Sequence, residues 1–167
     1  MTMNFVEAVE QYTTYLLKMS YLYVKDRQLA EDIVQEVFVK LYQKYGEQLP
    51  LENPKGYLVQ MTVNRCRDYF RSWHYRKVQV VDFFVHHEKA VPPPPEASNV
   101  VEHVVKLPLK YREVVILHYF DEQGTAEISA ILNIPIGTVK TRLQKARRLL
   151  KGTLLEEGEA SYEKQAE

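Results

Sequence analysis

The sequence predicts an all-α protein: two small helical domains, residues 5–77 and 99–152, joined by a flexible Pro-rich linker over 78–98, with a disordered tail over 153–167. Three observations predict it. Apolar residues recur every three or four positions through most of the chain, the spacing of amphipathic helices. The run Pro92-Pro93-Pro94-Pro95 cannot sit inside a helix or a central strand and favours an extended conformation. The chain has 167 residues, 46% hydrophobic and 26% charged, a foldable composition with room for one ordinary domain or two small ones.

The first helix is expected from Phe5 to Tyr23, where Phe5, Val9, Tyr12, Leu16, Met19 and Tyr23 keep helical spacing until Lys25-Asp26-Arg27 breaks it. A second, Gln28 to Tyr45, repeats the pattern at Ala30, Ile33, Val34, Val37, Phe38, Leu41, Tyr42 and Tyr45 and stops at Gly46. Its other face carries Glu31, Asp32, Gln35 and Glu36. After the loop Gly46 to Asn53, Pro54 suits the first turn of a third helix reaching about Lys77. On a wheel, Leu58, Thr62, Cys66, Tyr69, Phe70 and Trp73 share one side of it. Tyr57, Gln60, Asn64, Arg67, Asp68, Arg71 and Tyr75 share the other, an aromatic, amide and guanidinium mixture unusual for a merely solvated face.

Beyond the linker, Ser98 is placed to cap a helix beginning near Asn99, Pro108 interrupts it, and Tyr111 to Phe120 continues as an apolar helix. Residues 126–150 read as a short helix, a tight turn and a longer helix. Asn133 tolerates the left-handed conformation of the turn, and Pro135 suits the next helix start. In the longer helix Val139, Leu143, Ala146 and Leu150 form the inner stripe. Thr141, Gln144, Lys145 and Arg148 lie opposite, with Lys140 on the flank.

The formal net charge is zero, which taken alone argues against a nucleic-acid partner. Located along the chain, it is −2 for 1–50, +4 for 51–80, −2 for 81–100, −2 for 101–135, +6 for 136–151 and −4 for 152–167. The two basic blocks fall on the third helix and on the last. A row of Thr, Gln, Lys and Arg with no acidic residue from Ile136 to Lys151 suits a DNA major groove, where Thr and Gln read base edges and Lys and Arg meet guanines or phosphates. A solvated basic helix would share the basicity; the turn and the two-sided wheel favour DNA.

Cys66 is the single cysteine, so no internal disulfide or Cys-rich zinc site can form, and a reducing, cytoplasmic location is expected. No signal-peptide pattern and no run of 18 uncharged apolar residues is present, so no membrane insertion is expected. The five histidines show no metal-ligand spacing, and no phosphate loop, nucleophile elbow or paired-carboxylate site occurs. No metal, cofactor or catalytic residue, and no enzymatic activity, is expected.

The stretch Leu107 to Leu150, with its PxGTVxxRLxxAR run, resembles region 4 of bacterial sigma factors, and LAEDIVQEVFVKLYQKY, Leu29 to Tyr45, resembles region 2.2. The two together, about a hundred residues apart in a short chain, resemble the small extracytoplasmic-function (ECF, group 4) sigma factors. That resemblance implies a sigma region 2 bundle over 5–77 and a region 4 helix-turn-helix over 99–152. It implies binding of Asp32, Gln35 and Glu36 to the β′ clamp helices of core RNA polymerase. Minus-ten DNA would be recognised and opened by Tyr57, Gln60, Asn64, Arg67, Arg71, Tyr75, Arg76 and Lys77, with Asn64 capturing a base and the loop Gly46 to Asn53 completing the pocket. Minus-35 DNA would be read by Lys140, Thr141, Gln144, Lys145 and Arg148. An anti-sigma factor is the implied regulator. Ser129 stands where the family has a small apolar residue, and looser packing of the first helix of the motif is expected there. Without the resemblance, a dimeric helix-turn-helix repressor or activator, or a polymerase adaptor that does not read DNA, fits the same residues.

Overall fold

The computed structural model describes residues 2–77 and 99–165, with side-chain environments for 2–72 and 100–153. The expected linker, 78–98, and the expected capping residue Ser98 lie outside the described residues. The described chain forms two compact units.

The first unit holds β1 (Met3–Asn4), α1 (Phe5–Val24), α2 (Arg27–Tyr45), β2 (Gln48–Leu49) and α3 (Pro54–Lys77). Each helix starts where a short polar side chain satisfies an orphan backbone donor. Asn4 accepts from the Glu7 N–H at 2.9 Å while Glu7 reaches back to the Asn4 N–H at 3.0 Å, a reciprocal capping box. Asp26 accepts from the Leu29 N–H and Asn53 from the Gly56 N–H, both at 2.9 Å. α1 ends at Lys25 in the left-handed conformation (φ 60°), and α2 ends at Gly46 (φ 69°), a backbone shape that glycine adopts without strain.

The core of this unit gathers Leu16, Met19 and Tyr23 of α1, Ile33, Val37 and Leu41 of α2, and Leu58, Val59, Val63 and Cys66 of α3, all essentially solvent-free. Each buried aliphatic side chain contributes about 1.5–3 kcal/mol. The buried stripe of α3 is wider than the wheel predicts, because Val59 and Val63 join it. That of α2 is narrower: Tyr42, expected inside, is 47% exposed, its ring meeting Phe5 edge-on at 5.0 Å.

The second unit holds α4 (Asn99–Lys106), α5 (Leu109–Val115) running into a π-helical turn at Ile116–Phe120, α6 (Thr125–Leu132) and α7 (Ile136–Gln165). α4, α5 and α7 close on Val104, Leu107, Val115 and Ala146. Ile128 and Leu132 of α6 and Val139 and Leu143 of α7 are buried in the same unit. Two charged side chains are also inside. Arg112 donates to the Val105 carbonyl at 2.8 Å, and Glu113 pairs with Arg142 of α7 at 3.3 Å. Asn133 adopts the expected left-handed conformation (φ 53°) at the turn between α6 and α7. Ser129, expected to loosen α6, instead donates its hydroxyl to the Ile134 carbonyl at 2.5 Å, and the Ile134 N–H returns a bond to the Ser129 carbonyl at 3.2 Å, so the polar substitution locks the turn.

The sequence reading places a disordered tail from 153, but α7 continues to Gln165. The residues there, Leu154-Leu155-Glu156-Glu157 and Glu159-Ala160, are strong helix formers, and a helix already nucleated extends into them at little cost. Among the described residues no helix is long and apolar enough to cross a membrane.

Truncating Leu41 to Ala should cost the first unit about 3 kcal/mol through lost transfer energy and a cavity. Trp73, the single tryptophan, lies in α3, so the urea midpoint of its fluorescence should fall while second-unit methyl NMR signals keep their midpoint.

Candidate nucleic-acid and partner interfaces

In the second unit, Val139, Leu143 and Ala146 bury the inner side of α7 and so turn its opposite side outward. All five residues expected there, Lys140, Thr141, Gln144, Lys145 and Arg148, are exposed on it. The ion pair with buried Glu113 fixes the rotation of α7 and holds Arg142, half-buried, at the edge of the outward row. Arg147 donates to the Tyr119 hydroxyl at 2.7 Å and lies over its ring. Two residues join the row that the sequence reading missed. Lys110 of α5 lines, with Tyr111, Thr141, Arg142, Gln144, Lys145 and Arg148, a basic concavity of about 320 Å³. Ile136, at the start of α7, is 43% exposed, an apolar group of the kind that contacts thymine methyls. The available signal for Lys110 was its place just after the Pro108 break, which starts α5 beside α7.

On α3 of the first unit, Asn64 and Arg71 are exposed and Tyr57, Gln60 and Arg67 half-buried, on the side away from Leu58, Thr62 and Cys66. Gln60 donates its amide to the Asn64 carbonyl oxygen at 3.1 Å, which orients the Asn64 amide. The Tyr57 hydroxyl accepts from Lys44 at 2.9 Å and its ring meets Tyr45 edge-on at 5.8 Å. The hydrogen bond from the Lys44 ammonium holds the pKa of the Tyr57 phenol below its ordinary value, and the pKa of Lys44 rises in return. Lys44 and Tyr45 thus extend the aromatic face beyond α3, a feature the wheel of one helix does not show. Arg71 pairs loosely with Asp68 at 3.5 Å. Tyr75, Arg76 and Lys77 belong to α3, and their side chains lie outside the described ones.

On α2, Asp32, Gln35 and Glu36 are exposed together, and Asp32 accepts from Gln28 at 3.2 Å. Glu36 is held by the Arg65 guanidinium of α3 through both carboxylate oxygens, Nη2 to Oε1 at 3.1 Å. Its carboxyl is therefore held below its ordinary value by the Arg65 hydrogen bond. One turn on, Val39 is 54% exposed. A groove of about 810 Å³ between α1 and α2 is lined by Phe5, Val9, Val34, Gln35, Phe38 and Tyr42. The face is amphipathic, with Val39 and the groove adding an apolar half to the polar row Asp32, Gln35 and Glu36. No group of three or more His, Cys, Asp or Glu among the described residues is placed to hold a metal.

A helix-turn-helix with an outward Thr, Gln, Lys and Arg row, in one chain with an aromatic and guanidinium helix, has the chemistry of a nucleic-acid-binding protein. Residues 8–75 match the family model of sigma-70 region 2, and residues 100–150 that of sigma-70 region 4. The chain is 31% identical over 165 residues to the ECF RNA polymerase sigma factor SigW of Bacillus subtilis, covering 90% of this chain and 88% of that one. To SigM of the same organism it is 32% identical over 133 residues, covering 76% and 80%. The fold matches the sigma factor RpoE, solved with the anti-sigma factor NepR from Bartonella quintana, at a TM-score of 0.73 and 24% identity, over 90% of this chain and 96% of that one. The chain belongs to the ECF RNA polymerase sigma factors, which direct transcription initiation and are not themselves enzymes.

The Glu36–Arg65 pair makes a pH prediction. A carboxyl whose folded value is lowered stabilises the fold above its unfolded value, near 4.5, and that contribution is lost as pH falls through the folded value. Because the pair is exposed, the contribution is small, about 0.2–1 kcal/mol. In a carbon-detected NMR titration, Arg65→Ala should move the Glu36 midpoint up towards 4.5, and its small stability deficit against the native chain should vanish in acid.

Proposed function

We propose that this chain confers promoter specificity on core RNA polymerase through three surfaces. Residues 5–77 act as region 2 and residues 99–152 as region 4, with 78–98 as the connection. The observation that carries the reading is the outward row of α7 at the end of a locked helix-turn-helix turn, together with the Tyr57, Gln60 and Asn64 face of α3.

The polymerase clamp docks on α2 through Asp32, Gln35 and Glu36, with Val39 giving the contact an apolar centre. Acidic and amide groups on a rigid helix steer a basic partner surface and set its register. Minus-35 DNA receives α7 in its major groove. Gln144 and Thr141 face base edges, and Lys140, Lys145 and Arg148, joined by Lys110, face guanines or phosphates. At the minus-ten element the bases leave the stack one by one. Asn64, oriented by Gln60, takes a base edge; Tyr57 and Tyr45 offer ring faces; Arg67, Arg71, Arg76 and Lys77 follow the backbone. Opening costs about 1.4 kcal/mol of stacking per step, and base–aromatic stacking returns about 1–3 kcal/mol per captured base, so two or three captured bases offset a short bubble. The polymerase's own active site performs the chemistry. An anti-sigma factor controls the chain, a reading supported by the NepR-bound form of the matching fold, and the site of action is the cytoplasm.

Run-off transcription with purified core enzyme on genomic fragments tests this directly. Promoter-specific starts that depend on the chain are expected, and their absence overturns it. A duplex shifted by the chain alone as a dimer would mark an operator-binding regulator instead.

Two substitutions separate the DNA surfaces. Lys145→Ala with Arg148→Ala should weaken duplex binding and shallow the plot of log affinity against log salt by about 2, near 0.9 for each phosphate no longer neutralised. Asn64→Ala should leave closed-complex retention intact and reduce permanganate reactivity of the minus-ten thymines about tenfold, the effect of removing one buried, well-oriented amide hydrogen bond.

A further inference from the structure

The loop proposed to complete the minus-ten pocket, 46–53, is not held by its own helices alone. Residues Met3 and Asn4 lie antiparallel to it, with Met3 opposite Leu49 and Asn4 opposite Gln48. The Phe5 N–H donates to the Glu47 carbonyl at 2.9 Å. That N–H belongs to the first turn of α1, where it has no intrahelical partner, so the loop carbonyl satisfies an orphan donor. Counting two residues along an antiparallel ladder from the Phe5–Glu47 bond places Met3 and Leu49 at a hydrogen-bonded position.

The strand is tied to the bundle at its C-terminal end. Asn4 is locked by the capping box with Glu7, and the Phe5 ring packs edge-on against Phe38 and Tyr42 of α2. On the loop side, Leu49 is fully buried, the Gly46 N–H bonds the Tyr42 carbonyl at 2.7 Å, and Asn53 caps α3. Anchored at 46–49 and at 53, the loop keeps Pro50, Leu51 and Glu52 as its tip. Without the strand, the stretch between Gly46 and Asn53 would carry backbone freedom that has to be lost each time a base is captured.

We propose that Met3–Phe5 is a positioning strap that preorganises the loop 46–53 for capture of an unstacked minus-ten base. The inference rests on the base-capture reading of Asn64 and the loop. The strap touches no DNA; it acts through the loop it holds.

The test uses the full chain with core polymerase and a promoter recovered by run-off. In the unaltered free chain, the Phe5 and Leu49 amides should be protected against hydrogen exchange, and exchange at unfolded-chain rates overturns the strap whatever any variant does. Met3→Pro removes the ladder donor outside every helix. It should deprotect Leu49 and lower permanganate reactivity of the minus-ten thymines about fivefold, leaving competition for core and duplex retention unchanged. Met3→Ala keeps the backbone N–H and should open the promoter as the unaltered chain does. Equal opening by Met3→Pro, alongside an impaired Asn64→Ala, overturns the strap alone. A fully active Asn64→Ala overturns the base-capture reading beneath it.

Discussion

A helix proposed to meet a polyanion must be held from behind at the cost of few of its cations, and both units meet that constraint. α7 is held by Val139, Leu143 and Ala146, which attract no charge, and by the ion pair of Arg142 with Glu113. That pair is made with Glu113, whose side chain is only 5% exposed. A carboxylate in such a place is costly unless met by a cation and by further hydrogen bonds, so Arg142 is held against Glu113. The arrangement uses one of the six cations between Ile136 and Lys151 to fix the angle at which Lys140, Lys145 and Arg148 face outward. Arg147 is oriented by the Tyr119 hydroxyl, which bonds the guanidinium without neutralising it.

The first unit meets the same constraint with a less separated solution. α3 packs Leu58, Val59, Val63 and Cys66 inward, yet its flank reaches α2, where Arg65 grips Glu36. Glu36, proposed to meet polymerase, and a cation of the helix proposed to meet DNA are thereby one pair. Being exposed, the pair adds little stability, and its physical meaning is geometric: it sets where the Glu36 oxygens point and keeps a guanidinium on the α2 side of α3. Lys44 does the opposite at the other end of α2, leaning across to Tyr57 and drawing Tyr45 into the aromatic face. The two helices therefore share their functional surfaces, which is why a wheel drawn for either one alone is incomplete.

What the sequence made legible follows from what periodicity measures. The span of α3, the left-handed Asn133, the turn before Pro135 and the outward row of α7 are local, and each has a local chemical cause. The misses are contacts between distant residues. Glu36 with Arg65, Glu113 with Arg142 and Tyr119 with Arg147 are each 28 or 29 positions apart, beyond any helical repeat. The β1–β2 pair joins residues more than forty apart through strands too short to show alternation. Tyr42 matched the apolar period but sits at the margin of the stripe, where a phenol tolerates water and its ring finds Phe5. Ser129 reads as a packing defect from its residue type alone, because its acceptor, the Ile134 carbonyl, is brought to it only by the turn.

The zero net charge, which read as evidence against DNA, acquires a physical sense from the same partition. A strongly basic chain would bind any duplex through counterion release and would sit on DNA without regard to sequence. Here each unit presents only a few outward cations, balanced over the chain by acidic residues on α1, on α2 and in the last segment of α7. On the proposed reading each DNA contact is then weak alone. Joined by 21 residues, which reach at most roughly 70 Å when extended, the two contacts gain effective concentration only where both elements lie within that reach. Specificity becomes a property of spacing as much as of base contacts, and a partner that fixes the two units at the right separation turns two weak sites into one selective site.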